Sequence, residues 1–154
     1  MGLRPNEEER VRISTKGRYA VRMMLDIAQH DEGDPVRIKD ISARQGISLK
    51  YLEQIVSALV RANFLQSIRG PQGGYHLVRK PSEYTVGDIL RATEGSLSCV
   101  ECLSTEENYC ARADTCVTVR LWRELDEAVS SVVDKYTIED LMNWSTASYD
   151  NYVI

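Results

Sequence analysis

The chain has 154 residues, 43% of them hydrophobic and 27% charged, which suits one full domain or a small domain with an extension. No apolar run approaches the roughly 18 residues of a membrane span, and the opening "MGLRPNEEERVR" is charged where a signal peptide would be apolar, so a membrane protein is excluded and a cytoplasmic one expected. The net charge of -4 speaks against a nucleic-acid binder only until the chain is divided at Pro81: residues 1–80 hold 14 Lys and Arg against 9 Asp and Glu, and residues 81–154 hold 5 against 14. The division implies a basic module facing an anion and an acidic module facing something else.

Residues 1–12 carry no apolar period and are expected to form a flexible arm. Ser14 is a good N-cap for a first helix ending near His30, with Val21, Met24, Leu25 and Ala28 at helical spacing. A second helix is predicted over Val36–Gln45, broken by Gly46, and a third is capped by Ser48 with Leu52, Ile55, Val56 and Leu59 as its inward stripe. Two helices joined by a short glycine-containing turn make a helix-turn-helix pattern. The third helix's other face carries Lys50, Glu53, Gln54, Ser57 and Arg61 at steps of three and four, which is either a solvated face or a set of long hydrogen-bonding side chains for reading bases.

The segment after the third helix favours base reading. "FLQSIR" and "YHLVRK" read as short strands around "GPQGG", a hairpin directly after that helix, and this order is the winged-helix arrangement. Arg69 stands at the wing tip, placed to enter a narrow minor groove, and Gly70, Gly73 and Gly74 allow close backbone approach. A phosphate-binding loop is excluded, because no helix bearing Lys-Ser/Thr follows the glycines. The predicted fold class is mainly α with a small β-hairpin wing: a DNA-binding head over residues 13–81, then a cysteine loop and dimerisation region over residues 82–154.

In that second region Thr85 and Asp88 form a capping box opening a fourth helix through Leu90, closed by Gly95. A long helix is expected from about Asp114 to Tyr136, roughly 34 Å at 1.5 Å per residue, and it would overhang so small a domain. Trp122, Leu125, Val129, Val132 and Tyr136 step along it by 3, 4, 3 and 4, the seam of a two-helix coiled coil, so a homodimer is expected. Thr137 with Asp140 caps a short last helix before the tail "TASYDNYVI".

All four cysteines, Cys99, Cys102, Cys110 and Cys116, fall within 18 residues. In a reducing compartment this favours metal binding or redox sensing over disulfides. Their neighbours Glu101, Glu106, Glu107, Asn108 and Arg112 are too polar for simple core filling, and thiolates suit iron–sulfur clusters and zinc alike. A redox enzyme using Cys99-Val-Glu-Cys102 is disfavoured, since the pair lacks a strand-to-helix setting. His30 and His76 are read as ordinary surface groups.

"ISTKGRYAVRMMLDIA", "ISLKYLEQI", "SIRGPQGGYHL" and "LWREL" strongly resemble the Rrf2 family of bacterial winged-helix regulators, over essentially Arg12 to Tyr136. The resemblance implies a regulator rather than an enzyme: a homodimer through the long helix, two heads on a palindromic operator in double-stranded DNA, and in many members a cluster loop just before the dimer helix. Ser48, Lys50, Glu53 and Gln54 match the family's recognition-helix positions and Arg69 its wing arginine, and Lys16, Arg18, Tyr51, Ser57 and Arg61 join the expected DNA-contacting set. Glu53 is expected to discriminate rather than to add affinity, because a carboxylate accepts from cytosine N4 but repels phosphate.

Cys102, Cys110 and Cys116 fit the family's three cluster cysteines, implying an iron–sulfur cluster that reports iron–sulfur or redox status, 2Fe-2S ahead of 4Fe-4S, and that purification can strip. The branch that regulates cluster biogenesis takes its fourth ligand from a histidine three residues after the last cysteine, and here that position is Val119. The fourth ligand is left to Cys99, a carboxylate, a partner-chain residue or a small thiol. The C-terminal Ile154 resembles a second branch and implies an alternative, a repressor of cysteine metabolism acting with O-acetylserine sulfhydrylase through capture of a terminal carboxylate.

Overall fold

The computed structural model describes residues 13–108 and 110–150; the arm expected over residues 1–12 and the terminal Ile154 lie outside the described residues. Ser14 opens α1 (Thr15–His30) in extended conformation, its side chain accepting from the Gly17 N–H. The helix buries Ala20, Met23, Met24 and Ile27.

α2 (Ile38–Gln45) starts two residues later than expected, because Val36 belongs to the wing. Its N–H donates to the Tyr75 carbonyl at 3.0 Å and its own carbonyl accepts from the Tyr75 N–H at 2.9 Å. Gly46, at φ 65, ends α2, and Ser48 caps α3 (Leu49–Arg61), whose Leu52, Ile55, Val56 and Leu59 are buried as the spacing predicts. Asn63 then takes the left-handed conformation at φ 59, and the Phe64 N–H reaches back to the Leu59 carbonyl at 2.9 Å. This tight stop lets β1 (Leu65–Ile68) leave directly and pair antiparallel with β2 (Gly74–Leu77).

Beyond a 3-10 turn at Pro81–Glu83 comes α4 (Val86–Glu94), opened by the Thr85–Asp88 capping box. α5 (Val119–Val133) is shorter than the predicted helix: 15 residues, about 22 Å at 1.5 Å per residue. At its start, residues 110–116 turn back on themselves through Ala113 N–H to Cys110 O and Thr115 N–H to Arg112 O. At its end, the Tyr136 carbonyl is taken by the Val86 N–H at 2.8 Å, which pulls Tyr136 off the helix. α6 (Ile138–Asp150) is longer than the short helix expected and absorbs much of the anticipated tail.

The core takes residues from both sides of Pro81. Tyr84, Ile89 and Ile138 are fully buried with the α1 and α3 side chains. The Tyr84 hydroxyl donates to the Phe64 carbonyl at 2.9 Å and accepts from the Arg79 N–H at 2.8 Å, tying both ends of the hairpin to the start of α4. Among the described residues the single buried charge, Asp26, is 1% exposed and receives Arg44 through two nitrogens and the Gln45 amide at 2.8 Å, which locks α1 to the end of α2.

Candidate DNA-reading face and cysteine loop

Ser48, Lys50, Glu53, Gln54, Ser57 and Arg61 are all exposed on α3 and its cap, so the predicted face exists as one continuous surface. Two members have local duties as well: the Ser48 hydroxyl caps α3 by accepting from the Tyr51 N–H, and the Ser57 hydroxyl donates to the Glu53 carbonyl at 2.9 Å. Tyr51 is half-buried and packs edge-on against Tyr19 at 5.6 Å, joining α3 to α1. Lys16 and Arg18 lie in the first turns of α1, and the Arg18 guanidinium donates to the Thr15 hydroxyl at 3.1 Å.

Arg69 is exposed in the wing tip. The wing glycines have a reason the sequence did not show. A Cβ on Gly73 would collide with the Ile68 carbonyl, and one on Gly74 would stand 2.5 Å from the Val36 carbonyl, so the close approach they permit is to their own chain. The wing also has a strut that sequence reasoning missed: Arg37, just before α2, donates to the Gln72 side chain at the tip at 2.5 Å. Arg37 and Lys39 thereby line a groove of about 330 Å³ with Ser67, Gly70 and Pro71, adding positive charge beside Arg69. The cations of "VRIKD" were the available signal. Each histidine has a hydrogen-bond partner: His76 of β2 bonds Asp31 at 2.9 Å, and the ring of the exposed His30 bonds the Asp26 carbonyl at 2.7 Å.

Of the expected dimer seam, Leu125 and Val132 are exposed, whereas Trp122 and Val129 are half-buried against their own chain. Tyr136 lies outside the helix and packs on Trp144 at 4.9 Å. The apolar row left in water is Leu121, Leu125, Ala128 and Val132, stepping by four, three and four; it keeps Leu125 and Val132 of the predicted seam and has Leu121 and Ala128 where the prediction had Trp122 and Val129. The inward side is set by Arg91 of α4, which grips Asp134 at 2.6 and 3.0 Å and holds its carboxyl below the ordinary range. Gly87 leaves the room for that carboxylate.

Among the cysteines Cys110 is exposed, whereas Cys99, Cys102 and Cys116 are half-buried. Cys99 donates its N–H to Asp126 of α5 at 2.8 Å, and its thiol faces the Trp122 carbonyl at 3.8 Å. Burial, reinforced by the Asp126 carboxylate, pushes that thiol's pKa up. Burial works against the Asp126 carboxylate too, but the Ser98 hydroxyl at 2.6 Å and the Cys99 donors outweigh it and hold its pKa below the ordinary range. Cys102 and Cys110 line one pocket of about 460 Å³ with Glu101, Ser104, Thr105 and Glu107. Cys116 lies three residues before α5 rather than in it, and the Thr118 hydroxyl at 3.4 Å, then the Val119 and Thr118 N–H groups, lower its pKa.

Among the described residues no three His, Cys, Asp or Glu side chains already converge as a metal-holding group. The donor chemistry nevertheless suits a cluster: the soft thiols Cys102 and Cys110 line one pocket, and Cys116, outside that lining, is biased toward thiolate.

Comparison with known proteins bears on this arrangement. The family model "Rrf2: Iron-dependent Transcriptional regulator" matches residues 13–144. The chain belongs to the Rrf2 family. The HTH-type transcriptional regulator IscR of Serratia proteamaculans is 44% identical over 133 residues, covering 86% of this chain and 80% of the relative. Among solved structures, CymR, the global cysteine regulator of B. subtilis, superposes with a TM-score of 0.71 at 41% identity over 86% of this chain and 97% of that one. The IscR of T. potens follows with a TM-score of 0.70 at 37% identity, over 87% and 88%. This Rrf2 protein is therefore a DNA-binding transcriptional regulator with a winged-helix head, and no helix among its described residues is long and apolar enough to cross a membrane.

Proposed function

We propose that this Rrf2 protein acts as a homodimer on a palindromic operator, with α3 in the major groove and the wing in the minor groove, and that its cysteine loop reports iron–sulfur or redox status. The observation that carries the sensory reading is the loop's place. All four thiols lie between α4, which packs on the head, and α5, whose apolar row is unpartnered in a single chain.

Cys102, Cys110 and Cys116 are the residues that would hold an iron–sulfur cluster, which supplies one-electron chemistry and sensitivity to oxidants when bound. Of this chain's own residues, Thr118 and the amides of residues 118 and 119 favour thiolate at Cys116. Asp126 keeps the start of the loop on α5. On DNA, Lys50, Arg61 and Arg69 supply positive charge and Gln54 a bidentate amide, while Glu53 penalises sequences that offer it no donor. Anaerobic purification with absorbance and with iron and sulfide analysis tests the cluster. Loss of iron and sulfide in each of Cys102→Ala, Cys110→Ala and Cys116→Ala is the expected result. A parent that takes up neither on reconstitution overturns it.

The likeness to the B. subtilis cysteine regulator favours a second reading, a repressor of cysteine metabolism in which the loop is secondary and Ile154 engages O-acetylserine sulfhydrylase. Co-sedimentation with that enzyme, lost on deleting Ile154, would support it.

A further inference from the structure

Residues 94–99 are held at both ends by carboxylates that serve different parts of the fold. At one end Glu94, the last residue of α4, turns its Oε1 into the first turn of α1, accepting from the Ser14 N–H at 3.0 Å, the Gly17 N–H at 3.1 Å and the Ser14 hydroxyl. A Cβ on Gly17 would occupy the place of that oxygen. At the other end Asp126 of α5 accepts from the Ser98 hydroxyl at 2.6 Å and the Cys99 N–H at 2.8 Å. Between them Gly95, at φ 82, is the one joint in left-handed space.

We infer that residues 94–99 form a strut joining α5 to the DNA-facing end of α1, and that Glu94 and Asp126 are positioning residues for DNA reading. The inference rests on the reading of α1, α3 and the wing as the DNA face. The first N–H groups of any helix have no partner inside it, and a carboxylate placed there is favoured by charge and by charge-assisted hydrogen bonds. Glu94 supplies that carboxylate from another helix, so the place where Lys16 and Arg18 stand depends on where α4 ends. Tyr19, one turn further, packs on Tyr51 of α3, so the same anchor reaches the recognition helix. A shift of Ser98 and Cys99 against α5 has only four intervening residues, 94 to 97, over which to be absorbed before it reaches α1. Cys99 serves in this strut as an anchor, its N–H committed to Asp126.

The test uses the full chain, purified anaerobically, and a duplex that the parent retains from a random pool. Glu94→Ala is expected to weaken binding about tenfold, the effect of a lost helix cap with charged hydrogen bonds. Glu94→Gln, which keeps the accepting oxygen, recovers most of that loss. Asp126→Asn, far from the DNA face in sequence, weakens binding as well, and the double variant is no weaker than the worse single one. Thermal melting checks each fold; should Glu94→Ala not fold, Asp126→Asn alone decides the matter. Parental affinity in Asp126→Asn, fold-losses that multiply in the double variant, or no recovery with Gln over Ala overturns the strut. A parent that retains no duplex overturns the DNA reading and the strut with it, a result distinct from a binding parent with unaffected variants.

Discussion

Placing a carboxylate at position 121 should break the dimer proposed through α5. Leu121 is 56% exposed in the single chain, so about half of its side chain remains to be buried by a partner. Full burial of a leucine stabilises by about 2 kcal/mol, and the remaining half gives about 1 kcal/mol. A two-fold interface counts each residue twice, so Leu121 contributes about 2 kcal/mol per dimer. Leu121→Asp removes that and forces two like charges into the seam, each costing at least about 1–2 kcal/mol to desolvate. The sum, about 4–6 kcal/mol, weakens dimerisation by roughly a thousandfold or more. Sedimentation velocity at micromolar concentration should show the parent as a dimer and Leu121→Asp as a monomer. Glu127→Lys, on the solvated side of α5, should stay dimeric. A dimeric Leu121→Asp would refute the assignment of the exposed row, and a dimer lost in Trp122→Ala but kept in Leu121→Asp would restore the register first predicted.

Three further outcomes are expected. Arg69→Ala should weaken DNA binding by about 1–3 kcal/mol, chiefly at sites with narrow A·T minor grooves, as measured by anisotropy on A·T- and G·C-flanked duplexes; equal losses would mean that Arg69 touches only phosphate. Arg44→Met should cost about 3 kcal/mol in urea unfolding because it strands the buried Asp26 carboxylate, whereas Asp26→Asn should cost less because the Arg44 side chain, 34% exposed, can return to water; the reverse order would contradict the burial pattern. In metal-free, reduced protein, iodoacetamide should alkylate Cys116 before Cys99 and from a lower pH, since the lowered pKa of Cys116 leaves more thiolate near neutrality and the raised pKa of Cys99 leaves less; mass spectrometry of the partly labelled chain reads the order.

The helical stripes of α1 and α3, the caps at Ser14, Ser48, Thr85 and Thr137, and the hairpin around "GPQGG" were all legible in the sequence, because each depends on residues a few positions apart. The family was legible for the same reason, its motifs being continuous in the chain. Tertiary contact decided what local pattern could not. Val36 left α2 because Tyr75 offered it a strand partner, and Tyr136 left α5 because the Val86 N–H claimed its carbonyl. The spacing of apolar residues in α5 fitted two neighbouring stripes, and only the Arg91–Asp134 and Asp126–Ser98 bonds determined which one faces the chain's own loop. The cysteines were visible as a group, but the anchoring of Cys99 depends on Asp126, 27 residues away along the chain. Nor does any run of sequence show that Glu94 closes the first turn of α1 across a separation of 80 residues to Ser14, because a cap supplied from another helix leaves no periodic trace where it is spent.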